Sequence, residues 1–154
     1  MGNWIAKTYL LISGLIIILV GAYISLTPND YLTSMNVPLG LELNGGIDKN
    51  LGPSVSFLSD LRAMGGLIFS IGLYVFIATF RKDSIKSAVF ISVAFYTVFI
   101  VFRTLSFMLD GIPSLEIMVA FLIELMLAFF GLLLIFLKRD HYETKKLVKP
   151  VLKN

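Results

Sequence analysis

Residues 115–137 read LEIMVAFLIELMLAFFGLLLIFL. Beyond Glu116 at its start, one charge, Glu124, interrupts the run. Its length matches the roughly 20 residues that a helix needs to cross a hydrocarbon core about 30 Å thick. It is apolar all round rather than along one stripe, the pattern of a helix with apolar surroundings on every side. Working outward, the same reading applies to residues 8–26, 58–80 and 85–109. The expected fold is all-α: an integral membrane four-helix transmembrane bundle over residues 1–137, with a basic tail over residues 138–154. The composition agrees, because 57% of the residues are hydrophobic and 15% are charged, against about 45–50% and 25% in soluble domains. The first run exceeds a signal-peptide core and lacks a small-x-small site after it, so it is read as a retained helix. Ala6 stands where a myristoylation motif wants Ser or Thr.

Lysine and arginine set the orientation. Lys7 precedes the first run, Arg81, Lys82 and Lys86 lie between the second and third, and Lys138, Arg139, Lys145, Lys146, Lys149 and Lys153 follow the fourth. The opposite connections hold Lys49 with Asp30, Glu42, Asp48 and Glu116. Both ends of the chain are therefore expected in the cytoplasm, and the protein is expected to be a multi-pass resident of the inner (cytoplasmic) membrane. The long connection over residues 27–57 is then extracytoplasmic. It carries Pro28, Pro38, Pro53 and the run Asn44-Gly45-Gly46. It reads as a cap on the bundle with one short helix near Asp30–Met35; a mobile linker is the other reading. The basic tail is expected to meet anionic headgroups.

Composition excludes several chemistries. The chain has no cysteine, and its one histidine, His141, lies in the tail. Thiol redox chemistry, disulfides and a His-ligated metal or haem within the spans have no candidate ligands. No cofactor is expected. The basic residues flank apolar runs instead of forming a stripe on a folded face, so nucleic acid is not an expected partner.

The candidate functional residues are the charges within and beside the spans: Asp60, Arg62, Arg103, Asp110 and Glu124. Ionisable groups in spanning helices are rare and usually face a bundle interior or a wet cavity. With the orientation above, all five fall in the outer half of the membrane. Glu124 lies about 13 Å below Leu115 at 1.5 Å per residue. Arg103 and Asp110 share a face that Phe99 and Tyr96 continue, Arg62 shares one with Gly66 and Phe69, and Glu124 shares one with Ala120, Ala128 and Gly131. Small residues beside charges predict that these faces meet other helices. A carboxylate at that depth needs a cation or a proton, and the planar fork of arginine suits it. The cluster reads either as a ligand site or as a structural clasp. Asp110-Gly111-Ile112-Pro113-Ser114 is turn chemistry, and Ser114 with Glu116 suits the start of the last helix. Gly14 and Gly21, and Gly65, Gly66 and Gly72, read as packing faces. Trp4, Tyr9, Tyr23 and Tyr31 read as interfacial anchors.

Two segments carry a resemblance. Ser59-Asp60-Leu61-Arg62-Ala63-Met64-Gly65-Gly66 and Arg103-Thr104-Leu105-Ser106-Phe107-Met108-Leu109-Asp110-Gly111-Ile112-Pro113-Ser114, completed by Glu124, are similar to an uncharacterised family of four-helix bacterial membrane proteins, domain of unknown function family 4345. Met64 departs from the aromatic residue of many members. A looser likeness links the chain to DoxX-type bundles. The resemblance implies a four-helix membrane protein and no established activity, since fold does not carry function.

Function is expected to be non-enzymatic: an accessory, assembly or scaffold subunit that packs against a larger membrane-protein complex within the lipid bilayer. The alternative is a bundle that binds a small molecule, anion or lipid at the Arg/Glu cluster. An enzyme using Asp60, Asp110 and Glu124 as acid/base groups lacks His, Cys and nucleophile motifs to support it.

Overall fold

The computed structural model describes residues 3–35, 41–43, 46–48, 55–81 and 83–148, with side chains for 4–35, 56–81 and 83–137. The prolines Pro38 and Pro53, the Asn44-Gly45 step, Lys82, Lys149 and Lys153 lie outside the described residues, as do the side chains of the tail. Among the described residues there are five helices and a small hairpin: α1 (Asn3–Leu26), α2 (Pro28–Ser34), β1 (Leu41–Leu43), β2 (Gly46–Asp48), α3 (Val55–Ala78), α4 (Ile85–Leu109) and α5 (Leu115–Val148). Four of the helices are long and apolar enough to cross a membrane: Trp4–Leu26, Ser56–Ala78, Ile85–Leu109 and Leu115–Leu137. The expected spans thus fall within a few residues of the observed helices. The α5 helix runs unbroken to Val148, past the boundary drawn at residue 137 from hydropathy.

The four long helices form two antiparallel pairs, α1 with α3 and α4 with α5, packed against each other chiefly through α4. Glycine sets the spacing of the first pair. A Cβ added at Gly14 would sit 2.8 Å from the Phe76 backbone nitrogen, and one at Gly65 or Gly72 would sit 2.6 Å from that of Ser25 or Ile18. Gly21 meets the Phe69 nitrogen and the Gly65 carbonyl in the same way. The contacts define one register, with 14 facing 76, 18 facing 72, 21 facing 69 and 25 facing 65. Two backbones this close gain van der Waals contact along their whole length, a principal source of helix association in lipid.

The α4–α5 connection is short. Gly111 takes φ 101, a left-handed conformation that glycine adopts without penalty. The Asp110 N–H donates to the Ser106 carbonyl at 2.7 Å, and the Ser106 hydroxyl donates to the Asp110 carboxylate at 2.8 Å. The Met118 N–H donates to the Ser114 carbonyl at 3.2 Å, closing the first turn of α5. The expected turn and helix start are therefore present.

The core has two parts. One gathers Tyr9, Leu10, Val75, Ala78, Ile85, Ala88, Val89 and Val93. The other gathers Ile17, Ile24, Leu32, Leu61, Ile68, Tyr96 and Ala128, toward the end of the bundle that α2 covers. Pro28 opens α2, where its missing N–H and fixed φ fit the first helical position. Leu32 is buried, and α2 packs on α1 and α3 at that end. The short helix expected near Asp30–Met35 is this element. The hairpin β1–β2 was not expected: Leu41 pairs with Asp48, Glu42 with Ile47 and Leu43 with Gly46. Asn44-Gly45 between two three-residue strands is the strongest short-range hairpin signal, and reading it as loop chemistry alone hid it.

Candidate functional site

Arg103 and Glu124 meet. Arg103 sits about two turns from the end of α4 and Glu124 about two and a half turns into α5, so the tight turn at Gly111 folds both to one level. The Arg103 Nε donates to Glu124 Oε2 at 2.9 Å and to Oε1 at 3.2 Å, and Nη2 donates to Oε1 at 3.1 Å. The side chains are 21% and 13% exposed. This fork-on-carboxylate geometry is the strongest form of charge-assisted hydrogen bond. The guanidinium also lies over the Phe99 ring, 5.9 Å from its centroid, within cation–π range. Tyr31 of α2 reaches the same neighbourhood. Burial raises its phenol above the ordinary range, with Arg103 pulling it down and Glu124 pushing it up. Phe99 thus flanks the pair, and Tyr31 of α2 lies within electrostatic reach of it.

The other sequence candidates do not join it. Asp110 is exposed and engages Ser106 in the turn. Asp60 and Arg62 are exposed on α3 and have no hydrogen bond or ion pair among the described residues. Two of the five residues meet, and the five-residue cluster does not form. The small-neighbour argument holds for Glu124: Ala128 is buried, and Gly131 packs against Tyr9 and Val93. It fails for Arg62. A Cβ at Gly66 would meet nothing within 4 Å, so the face of Gly66 is not the packing face of α3. Gly65, one residue earlier, is turned about 100° and fills that role.

A second polar centre escaped the sequence reading. Tyr9 and Ser13 of α1 meet Ser92 and Tyr96 of α4, near the middle of the bundle. The Tyr9 and Ser92 hydroxyls are 3.1 Å apart, and the Ser13 and Ser92 hydroxyls are in direct hydrogen bond. The Ser13 hydroxyl donates to the Tyr96 oxygen at 3.3 Å, and the Tyr96 hydroxyl donates to the Ser13 carbonyl at 3.2 Å. Ser13 and Ser92 are fully buried and Tyr96 is 2% exposed. Tyr9, expected at an interface, is a core residue at 8% exposure. Its hydroxyl finds a partner in the bundle, so burying its ring leaves no polar group stranded. Trp4 and Tyr23, by contrast, are exposed near the ends of α1. The signal available in the sequence was the Tyr9–Ser13 step of four and the Ser92–Tyr96 step of four, each placing two hydroxyls on one helix face.

Chemically, both centres are self-satisfied. The carboxylate accepts from the guanidinium and the hydroxyls bond one another. Among the described residues, no group of three or more His, Cys, Asp or Glu is placed to hold a metal ion.

Neither the curated proteins nor the solved structures yield a match to this chain. A family model does: the one described as Domain of unknown function (DUF4345) matches residues 5–135, from the first turns of α1 nearly to the end of the apolar part of α5. The match covers Asp60, Arg62, Arg103, Asp110 and Glu124, and the chain belongs to that domain-of-unknown-function family.

Proposed function

We propose that this chain is a non-catalytic, four-span integral protein of the cytoplasmic membrane, with both ends of the chain in the cytoplasm, acting as an accessory, assembly or scaffold subunit of a larger membrane complex. One observation carries the reading: Arg103 and Glu124 are bound to each other through three hydrogen bonds. A pair so engaged fastens α4 to α5 and presents neither charge to a solute. The surface supports it. Only 11% of the α5 span is buried within the chain, against 33–39% of the other three. Phe129, Phe130, Met126, Leu122 and Phe136 of α5 are exposed, an apolar surface suited to lipid or to a neighbouring subunit.

In this reading α2 and the connection over residues 27–57 lie outside, and the Arg103–Glu124 pair sits in the outer half of the membrane. The competing reading, an anion or lipid site, requires Arg103 to leave Glu124. The test extracts the full chain from its native membrane into lipid nanodiscs and measures the mass and composition of the particle. A defined partner at fixed stoichiometry is expected. Particles holding this chain alone contradict the subunit role. A melting shift on adding phosphate, abolished in Arg103→Ala, would move the assignment to anion binding.

A further inference from the structure

The exposed face of α3 holds two charges that are unpaired among the described residues. Asp60 and Arg62 are exposed, with no hydrogen bond or ion pair among the described residues. They lie about 6 Å and 9 Å along the helix from Ser56, where the apolar span begins. Between them runs a strip of small residues. At about 100° per residue, Ser59, Ala63, Gly66 and Ser70 fall within about 60° of one another. The strip points roughly opposite to the buried face of α3, which carries Leu61, Gly65, Ile68 and Gly72. No contact among the described residues explains it. Gly66 is not held small by a neighbour, and the Ser70 hydroxyl is spent on the Gly66 carbonyl at 2.9 Å. The outer surfaces of these helices carry mostly Leu, Ile, Val, Phe and Met, with Ser87, Ala94 and Thr104 also exposed on α4.

The charges have a geometry that selects the occupant. Asp60 stands about 90° to one side of the strip and Arg62 about 70° to the other, at depths about 3 Å apart. Two parallel copies of α3 related by a two-fold axis along the membrane normal bring the flank of one against the opposite flank of the other. Such an isologous contact pairs residue i with j and j with i. Each Arg62 then faces the Asp60 of the second copy, and both ion pairs form at once. The small strip lets the backbones approach, as small residues do at helix contacts in lipid.

We infer that the exposed face of α3 is a self-association surface: the protein forms a parallel two-fold homodimer through Ser59, Ala63, Gly66 and Ser70, closed by reciprocal Asp60–Arg62 ion pairs. The inference adds to the accessory-subunit reading without requiring it. It depends on α3 lying in the membrane, which topology mapping checks separately.

The test uses the full-length chain in phospholipid vesicles, with dimerisation read by energy transfer between labelled copies across a range of protein-to-lipid ratios. Arg62→Asp and Asp60→Arg should each weaken the dimer by about tenfold or more, which is a factor of ten per 1.4 kcal/mol. The exchange Asp60→Arg with Arg62→Asp should restore it, a recovery that a merely structural role for either residue would not give. Gly66→Leu should block the dimer without lowering the melting temperature of the monomeric fold. Because the chain lacks cysteine, Ala63→Cys should form an intermolecular disulfide on oxidation, and Leu122→Cys on α5 should not. A monomer at every ratio, with Arg62 contacting lipid phosphate alone, overturns the proposal. So does a dimer insensitive to both charge reversals, or one that crosslinks through Leu122→Cys.

Discussion

Glu124 persists in an apolar helix because Arg103 reaches it with two donor nitrogens from the neighbouring helix. Removing one partner leaves the other charged, half-buried and unpaired, the costly side of a buried ion pair. Arg103→Ala and Glu124→Ala should each destabilise the protein by about 3 kcal/mol, measured by unfolding in mixed micelles. The exchange Arg103→Glu with Glu124→Arg should recover a good part of that loss. Full stability in Arg103→Ala would mean the pair fastens nothing. The hydroxyl centre makes a milder claim, since interhelical hydrogen bonds between neutral groups in membrane proteins are worth about 0.6–2 kcal/mol. Ser92→Ala removes the hydroxyl that links Tyr9 to Ser13 and should cost about 1 kcal/mol by the same unfolding measurement. A partner arginine for Glu124 was legible in the sequence because charges in apolar runs are rare and opposite ones must be matched, but the choice of Arg103 over Arg62 needed the structure. The hydroxyl centre was not, because serine in a span ordinarily bonds its own helix, and the Ser92 partner of Tyr9 lies 83 residues away.

At the scale of the element, glycine decides which helices touch. Gly21 and Gly65 sit where the α1 and α3 backbones cross, and a Cβ at Gly65 would fall 2.6 Å from a backbone nitrogen that no rotamer can move. Gly65→Leu should therefore force the pair apart, with a loss of about 3 kcal/mol or more. Gly66→Ala, one residue away, should leave stability within about 1 kcal/mol of wild type or raise it, since alanine is the better helix former. Equal losses in the two variants would contradict the register described. Helix lengths were readable because each apolar run ends at charge, proline or turn chemistry. Which face of α3 turns inward was half readable: Gly65, Gly66 and Gly72 all read as packing positions, and Gly65 and Gly72 meet α1 while Gly66, on the stripe with Arg62, does not. The β1–β2 hairpin shows a different failure, in which a local turn signal was noted but its flanking strands, three residues each, were too short to register as alternation.

For the whole molecule, the pattern of lysine and arginine and the antiparallel course of the helices give the same arrangement. The α1 start, the α3–α4 connection and the end of the α5 span lie at one end of the bundle, and α2 and the α4–α5 turn lie at the other. The basic residues beside the spans concentrate at the first end, which the proposed orientation assigns to the cytoplasm by the positive-inside tendency. The helical architecture was legible because it depends on long, additive signals: the length and number of the apolar runs. A functional role depends on what meets the surface, and a surface made largely of apolar side chains has few features that single out a partner. The most direct test of a four-span protein with both ends inside uses the absence of native cysteine. Single cysteines placed at Asn29, Ile112, Asp83 and Lys138 are probed in intact cells with a membrane-impermeant maleimide. The account predicts that positions 29 and 112 label in intact cells and that positions 83 and 138 label only after the membrane is permeabilised. Labelling of 83 or 138 in intact cells, or protection of 29 and 112, would contradict it.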